Sequence, residues 1–187
     1  MIAALFVEKG GVYYGRPDVD PWDIERDARK YAGPWPVVAH PPCARWGNYW
    51  YGSPSSPLRL VLGDDDGCLA SAFASVWRWG GVLEHPAGTR AWRHFRTASP
   101  MRGAWQRTVD GAWITEVFQG NYGHPAPKLT WLYCVSTTPP PLLDWSTPPA
   151  LRPLEHLSKR QRAATPPAFA ELLINIAKSA ARERTAA

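Results

Sequence analysis

The chain is short of sulfur, of long apolar runs and of acid. Cys43, Cys68 and Cys134 are the three cysteines among 187 residues. An odd, widely spaced set excludes a disulfide framework and points to a reducing compartment. No apolar stretch approaches the roughly 20 residues of a membrane span. The start, Met1-Ile2-Ala3-Ala4-Leu5-Phe6-Val7-Glu8, has no basic n-region and too short an apolar run for a signal peptide. The expectation is a cytoplasmic protein with no membrane contact. No internal repeat is present, which excludes a repeat architecture. Asp and Glu number 16 against 21 Lys and Arg, a formal charge of +5, so an anionic partner is expected, nucleic acid first.

Tryptophan and proline are abundant, at 11 and 20 residues, whereas the 45% hydrophobic and 20% charged content is ordinary for a globular protein. The length suits one domain, residues 1–187, with a core large enough to fold unaided. The most informative stretch is Pro36-Val37-Val38-Ala39-His40-Pro41-Pro42-Cys43. Three apolar residues read as a short buried strand, and two prolines end it because proline cannot continue a ladder. Cys43 then stands at the carboxyl end of a strand, where open α/β sheets place ligands. A small apolar cysteine beneath a turn would give the same letters. Gly81-Val82-Leu83-Glu84-His85-Pro86 repeats the pattern. Two strand–proline endings suggest one shared site with Cys43 and Glu84 facing each other.

Other elements follow from periodicity and turn chemistry. Ala3 to Val7 reads as a buried strand, and Val12-Tyr13-Tyr14 as a second short one. Asp20 to Tyr31 reads as a helix, with Asp20 as N-cap, Pro21 first in the helix, and Trp22, Ala28 and Tyr31 inward. Gly47 to Leu62 reads as an aromatic loop. Cys68 to Trp79 has helical spacing at Leu69, Phe73 and Val76, with Asp64-Asp65-Asp66 ahead of it as a cap or a divalent-metal site. Arg90 to Arg107 interleaves arginines with Trp92, Phe95 and Trp105, a pattern that suits phosphate contacts with base stacking, or a solvated loop pinned by buried rings. Trp113–Phe118 and Leu129–Val135 read as strands, and 137–149 as a proline-rich connection. Ser158 caps a short basic helix, and a last helix runs from Pro167 to about Arg182, burying Phe169, Leu172, Leu173 and Ile176. Residues 183–187 are expected to fray.

The order of these pieces resembles the cytosine-C5 DNA methyltransferase family. Pro41-Pro42-Cys43 is similar to that family's nucleophile loop, and Leu83-Glu84-His85-Pro86 to its strand ending in a ring-binding glutamate. Asn121-Tyr122-Gly123-His124-Pro125 to Lys128 is similar to a later strand entry, and Ser158 to Phe169 to the segment before the closing helix. The resemblance implies a Rossmann-like, SAM-methyltransferase-type α/β sheet flanked by helices, abbreviated, with no separate target-recognition domain. It implies Cys43 and Glu84 as catalytic residues. It also implies Pro41, Pro42, Arg45, Trp46, His85 and Lys128 around the substrate, and S-adenosylmethionine held by Phe6, Gly10, Gly11, Asp20, Trp22 and Asn175. The glycine-rich cofactor loop departs from the family at Leu5 to Gly11, and Lys128 stands where an arginine is usual.

The implied chemistry explains the residue types. Cytosine C5 becomes nucleophilic once a thiolate adds to C6. A carboxyl at N3 draws charge from the ring, and Glu84 would do so with a pKa raised by strand-end burial. The base must leave its stack for an aromatic-walled pocket, for which Trp46, Tyr49, Trp50 and Tyr51 are available. Three alternatives stay open: an enzyme acting on a nucleotide or modified base, a non-catalytic nucleic-acid-binding module, and a zinc site on His40, Cys43 and His85. Cys68 and Cys134 read as inert core thiols.

Overall fold

Residues 1–52, 60–149 and 151–180 are described in a computed structural model of the protein, and one seven-stranded mixed sheet runs through them. Its strands are β1 (Ile2–Leu5), β2 (Val19–Trp22), β3 (Val37–Ala39), β4 (Gly81–Pro86), β5 (Gln106–Arg107), β6 (Trp113–Phe118) and β7 (Leu129–Val135), in the order β2-β1-β3-β4-β7-β6-β5. β1 to β4 are parallel. β7 runs antiparallel to both its neighbours, and β5 antiparallel to β6. The interior parallel strands are apolar on both faces, as burial between two layers requires.

Two helices supply those layers. α1 (Cys68–Trp79) packs with Ala3, Leu5, Val37, Ala39, Leu83 and Tyr133, and α4 (Pro167–Ser179) with Ile2, Ala4, Val38, Val82 and Leu132. The two-residue alternation of the strands sorts these side chains between the faces. Phe169, Leu173 and Ile176 of α4 are fully buried, each contributing roughly 1.5–3 kcal/mol, and Leu172 is half-buried as a rim contact. α2 (Ala91–His94) and α3 (Lys159–Ala163) are single turns, the latter closed by a Ser158–Gln161 capping box.

Residues 20–31 correct the sequence reading. Asp20, Pro21 and Trp22 pair in parallel with β1 as an edge strand, where a proline is tolerated. Asp23 then turns the chain by accepting the Glu25 and Arg26 backbone N–H groups, a local bond that competes with helix. Asp27 has a left-handed φ of 54°, so only Ala28–Lys30 closes, as a 3₁₀ turn. Ala28 and Tyr31 still face inward. Val12-Tyr13-Tyr14 likewise forms a turn, not a strand, with Tyr13 buried beneath it.

β1, β3, β4, β6, β7, α1, α3 and α4 lie where the sequence reading puts them, 137–149 carries no element, and the segment read as a basic loop, Arg90–Arg107, instead holds α2 and the edge strand β5. Residues 53–59 of the aromatic loop, the expected helix end at Arg182 and the 183–187 tail fall outside the described residues. No helix among the described residues is long and apolar enough to cross a membrane. Burial pushes the Cys134 thiol up to about 12 and raises that of Cys68, so both are poor nucleophiles.

Candidate functional site

Adjacent strands build the site. Val38 of β3 stands opposite Val82 of β4. Two residues further along each chain, His40 and Glu84 therefore emerge side by side on the α4 face. Pro41 and Pro42 break the β3 ladder, and the Cys43 carbonyl accepts the backbone N–H groups of Trp46 (3.0 Å) and Gly47 (3.1 Å), closing a turn with Cys43 exposed. Cys43, Glu84, His40, Tyr13 and Lys128 line one cavity of about 740 Å³, with Lys159, Arg160 and Arg162 of the α3 segment on its lip.

A hydrogen-bonded chain holds Glu84. Tyr13 Oη lies 2.7 Å from His40 Nε2, and His40 Nδ1 lies 3.1 Å from Glu84 Oε2. Glu84 Oε1 accepts from Gln119 Nε2 (3.0 Å) and from the Thr130 hydroxyl (3.1 Å), while Gln119 Nε2 also reaches Thr130 Oγ1 at 2.7 Å. This corrects the expected raised Glu84 pKa. Burial does push the carboxyl up, but the His40 hydrogen bond and the charges of His40, Lys128 and His85 outweigh it, leaving it near 2. Glu84 is an ionised acceptor. Burial, then the Glu84 charge, raises the Tyr13 hydroxyl well above the usual phenol range, so it stays a donor.

The thiol responds to the same charges. Burial first, then Glu84, raises the Cys43 pKa, and Lys128 partly offsets them. Lys128 in turn is lowered by burial and supported by Glu84 and Cys43. A test needing no substrate follows, the alkylation rate of Cys43 by iodoacetamide against pH. Glu84→Gln removes the repelling charge and shifts the profile toward lower pH, whereas Lys128→Ala shifts it toward higher pH. Coincident profiles for all three proteins would contradict the electrostatic coupling.

The other sequence-derived residues divide clearly. Pro41 and Pro42 line the cavity with Cys43. Trp46 does not: it is buried, its Nε1 donates to Asp65 at 2.8 Å, and its ring meets His94 and Phe95. Arg45 points its guanidinium at the Trp50 carbonyl, and Tyr49 is exposed to solvent. His85 alternates to the opposite face of β4, fully buried beside Trp92. Burial lowers its pKa to about 4, so it is neutral. Among the described residues no group of three His, Cys, Asp or Glu side chains is placed to hold a metal ion, so the zinc set of His40, Cys43 and His85 is not assembled. Asp65 is occupied as a cap, accepting from Gly67 and Leu69 N–H.

Phe6, at a left-handed φ of 58° where β1 ends, lines both the Cys43 cavity and a second cavity of about 520 Å³. Val7 and Pro42 are shared in the same way, and Asp23, Asp27, Asp66 and Cys68 line the second cavity beyond them. Gly11 lines the first cavity; Gly10 lines neither. Asp20 is engaged by Trp22 Nε1 (2.8 Å) and Arg26 (2.5 Å), and the Arg26 guanidinium covers the Trp22 ring at 4.0 Å. Asn175 is exposed on α4 and lines neither cavity. Tyr13, Gln119 and Thr130 are functional neighbours that the sequence reading did not single out.

In the Arg90–Arg107 segment Trp92 is buried, while Arg90, Arg93 and His94 are exposed and line a further cavity of about 510 Å³. No protein-family model, curated protein or solved structure matches this chain.

Proposed function

We propose that the protein is a cytosine-C5 DNA methyltransferase-like enzyme on a Rossmann-like sheet. Cys43 adds to C6 of cytosine, and S-adenosylmethionine is the one-carbon source. The observation that supports this most is the convergence of an exposed thiol and an ionised, hydrogen-bonded carboxylate from adjacent parallel strands into one cavity. Cys43 forms the S–C6 bond after losing its proton to solvent. The ring nitrogen takes up a proton from solvent as addition proceeds, and Glu84, an ionised acceptor, stabilises it there. After methyl transfer to C5, loss of the C5 proton to solvent would break the S–C6 bond and return the Cys43 thiolate.

The lip of the cavity supports an anionic substrate. Lys128, Lys159, Arg160 and Arg162 form no ion pair among the described residues, whereas Lys9, Arg16, Arg26, Arg29 and Lys178 do. Unpaired cations around a cavity of about 740 Å³, roomy enough for a whole nucleotide, suit phosphate on either side of an extruded base. The second cavity suits S-adenosylmethionine by its size, by Asp23, Glu25 and Asp66 in a lining where Arg29 and Lys30 pair with Asp27, and by the Phe6, Val7 and Pro42 wall it shares with the first. Phe6, Asp23 and Asp66 would hold it, in place of Asp20, Trp22 and Asn175. When bound, it supplies the methyl group. A mononucleotide substrate is the second reading, favoured by the absence of any element across 137–149 that could serve as a separate target-recognition part.

Calorimetry with S-adenosylmethionine, with and without a cytosine-containing oligonucleotide, tests the proposal. Dissociation constants in the micromolar range are expected, near −8 kcal/mol. No heat under either condition would sink the methyltransferase reading for this chain.

A further inference from the structure

The role proposed for Cys43 and Glu84 leaves Tyr13 and His40 unexplained. His40 is half-buried, and both its ring nitrogens are occupied, one by Tyr13 Oη at 2.7 Å and the other by Glu84 Oε2 at 3.1 Å. A histidine with both nitrogens spent on protein groups has none left to meet a substrate. Its imidazole is a spacer between a phenol and a carboxylate. Tyr13 is itself fixed, buried in the α4-side core among Ile2, Val19 and Val38. The chain is thus anchored at its far end and directed at its near end.

We propose that His40, backed by Tyr13, is the positioning residue that holds the Glu84 carboxyl toward the ligand in the Cys43 cavity. The identity of that ligand rests on the reading above; the role of His40 does not. An ionised Oε2 can only accept, so His40 carries a hydrogen on Nδ1 and donates it there, while Nε2 and the Tyr13 hydroxyl share the second hydrogen bond. Gln119 and Thr130 occupy Oε1 from the opposite side. A carboxylate gripped at both oxygens holds one rotamer and directs its remaining lone pairs into the cavity.

Other charges act on this chain and set the controls. Arg16 and Glu84 act on Tyr13. Lys128, ahead of β7, and His85, on the far face of β4, act on Glu84. Cys43 stands on the same turn as His40, and Glu8, Lys159, Arg160 and Arg162 face it across the cavity.

The test is a carbon-13 NMR titration of the Glu84 carboxyl in the full chain, which needs neither substrate nor cofactor. His40→Leu removes the donor and moves the Glu84 midpoint up by about one pH unit or more. His40→Asn, whose amide N–H stands near the place of Nδ1, keeps most of the wild-type value. Tyr13→Phe removes one oxygen, leaves the imidazole unsupported and raises the midpoint by about half a unit. A Glu84 midpoint unchanged in both His40→Leu and Tyr13→Phe overturns the proposal. If His40→Leu does not fold, Tyr13→Phe decides alone, and a wild-type midpoint there overturns it. A raised midpoint in a protein without methyl transfer supports the His40 role while the methyltransferase reading fails. Normal methyl transfer with unmoved midpoints does the reverse.

Discussion

Under the proposed reaction, Cys43→Ser is expected to lower methyl transfer to cytosine-containing DNA by about 10³-fold or more, with binding of the same DNA changed by less than about threefold. The asymmetry follows from where the thiol acts. Sulfur matters when the S–C6 bond forms, and a hydroxyl at the same place has neither the acidity nor the polarisability to add to the ring. Binding draws instead on the unpaired cations at the lip and on Glu84, none of which the substitution touches. Transfer of a labelled methyl group to an oligonucleotide measures the first quantity, and fluorescence anisotropy of the same oligonucleotide the second. Cys134→Ser serves as the control, since that thiol is buried and lines neither cavity. Retention of a tenth of the wild-type rate by Cys43→Ser would place the nucleophile elsewhere.

Gly81→Ala costs about 4 kcal/mol of stability, against the roughly 5–15 kcal/mol that holds a typical domain. Gly81 opens β4 with φ +119°, a backbone conformation in which an L side chain is strained. A Cβ there would lie 2.0 Å from the Val37 carbonyl oxygen and 2.5 Å from the Val37 nitrogen. Both are main-chain atoms of β3 and have no rotamer to yield. Relief requires β3 and β4 to part at the ladder that brings His40 beside Glu84. Thermal unfolding should show a midpoint about 10 °C lower than wild type. Gly88→Ala is the matched control. It shares a positive φ, +76°, but its Cβ would meet nothing within 4 Å, so only conformational strain of about 1 kcal/mol is added. Equal melting temperatures for Gly81→Ala and wild type would refute the close-approach account.

The two strand–proline endings were legible because everything that makes them is local. Val37-Val38-Ala39 and Val82-Leu83 are apolar runs, and Pro41 and Pro86 stop them. Residues 20–31 misled for the opposite reason. Asp20-Pro21 is a good helix start taken alone, and what overrides it is parallel pairing with Ile2 to Leu5, a partner many residues away. The raised pKa expected of Glu84 failed in the same manner. Burial was readable from the apolar residues before it, but the donors that reverse its effect come from His40, Gln119 and Thr130, scattered over 90 residues. Thr130 did leave a trace, as a polar residue in the otherwise apolar Leu129–Val135. Trp46 shows the limit of composition, because an indole near a reactive thiol reads as a pocket wall whether it faces the pocket or the core.

The insertion of β7 between β4 and β6 also sets an order of assembly. β6 reaches the sheet only through β7, so the two strands join as a hairpin, a local event, and dock on β4 along one six-residue ladder. Before docking, the amino-terminal half already carries His40 and Glu84, but the Thr130 and Gln119 donors are still elsewhere. Covering Glu84 without them would desolvate a half-paired charge at several kcal/mol. Docking of β7 and pairing of Glu84 are therefore expected to occur together.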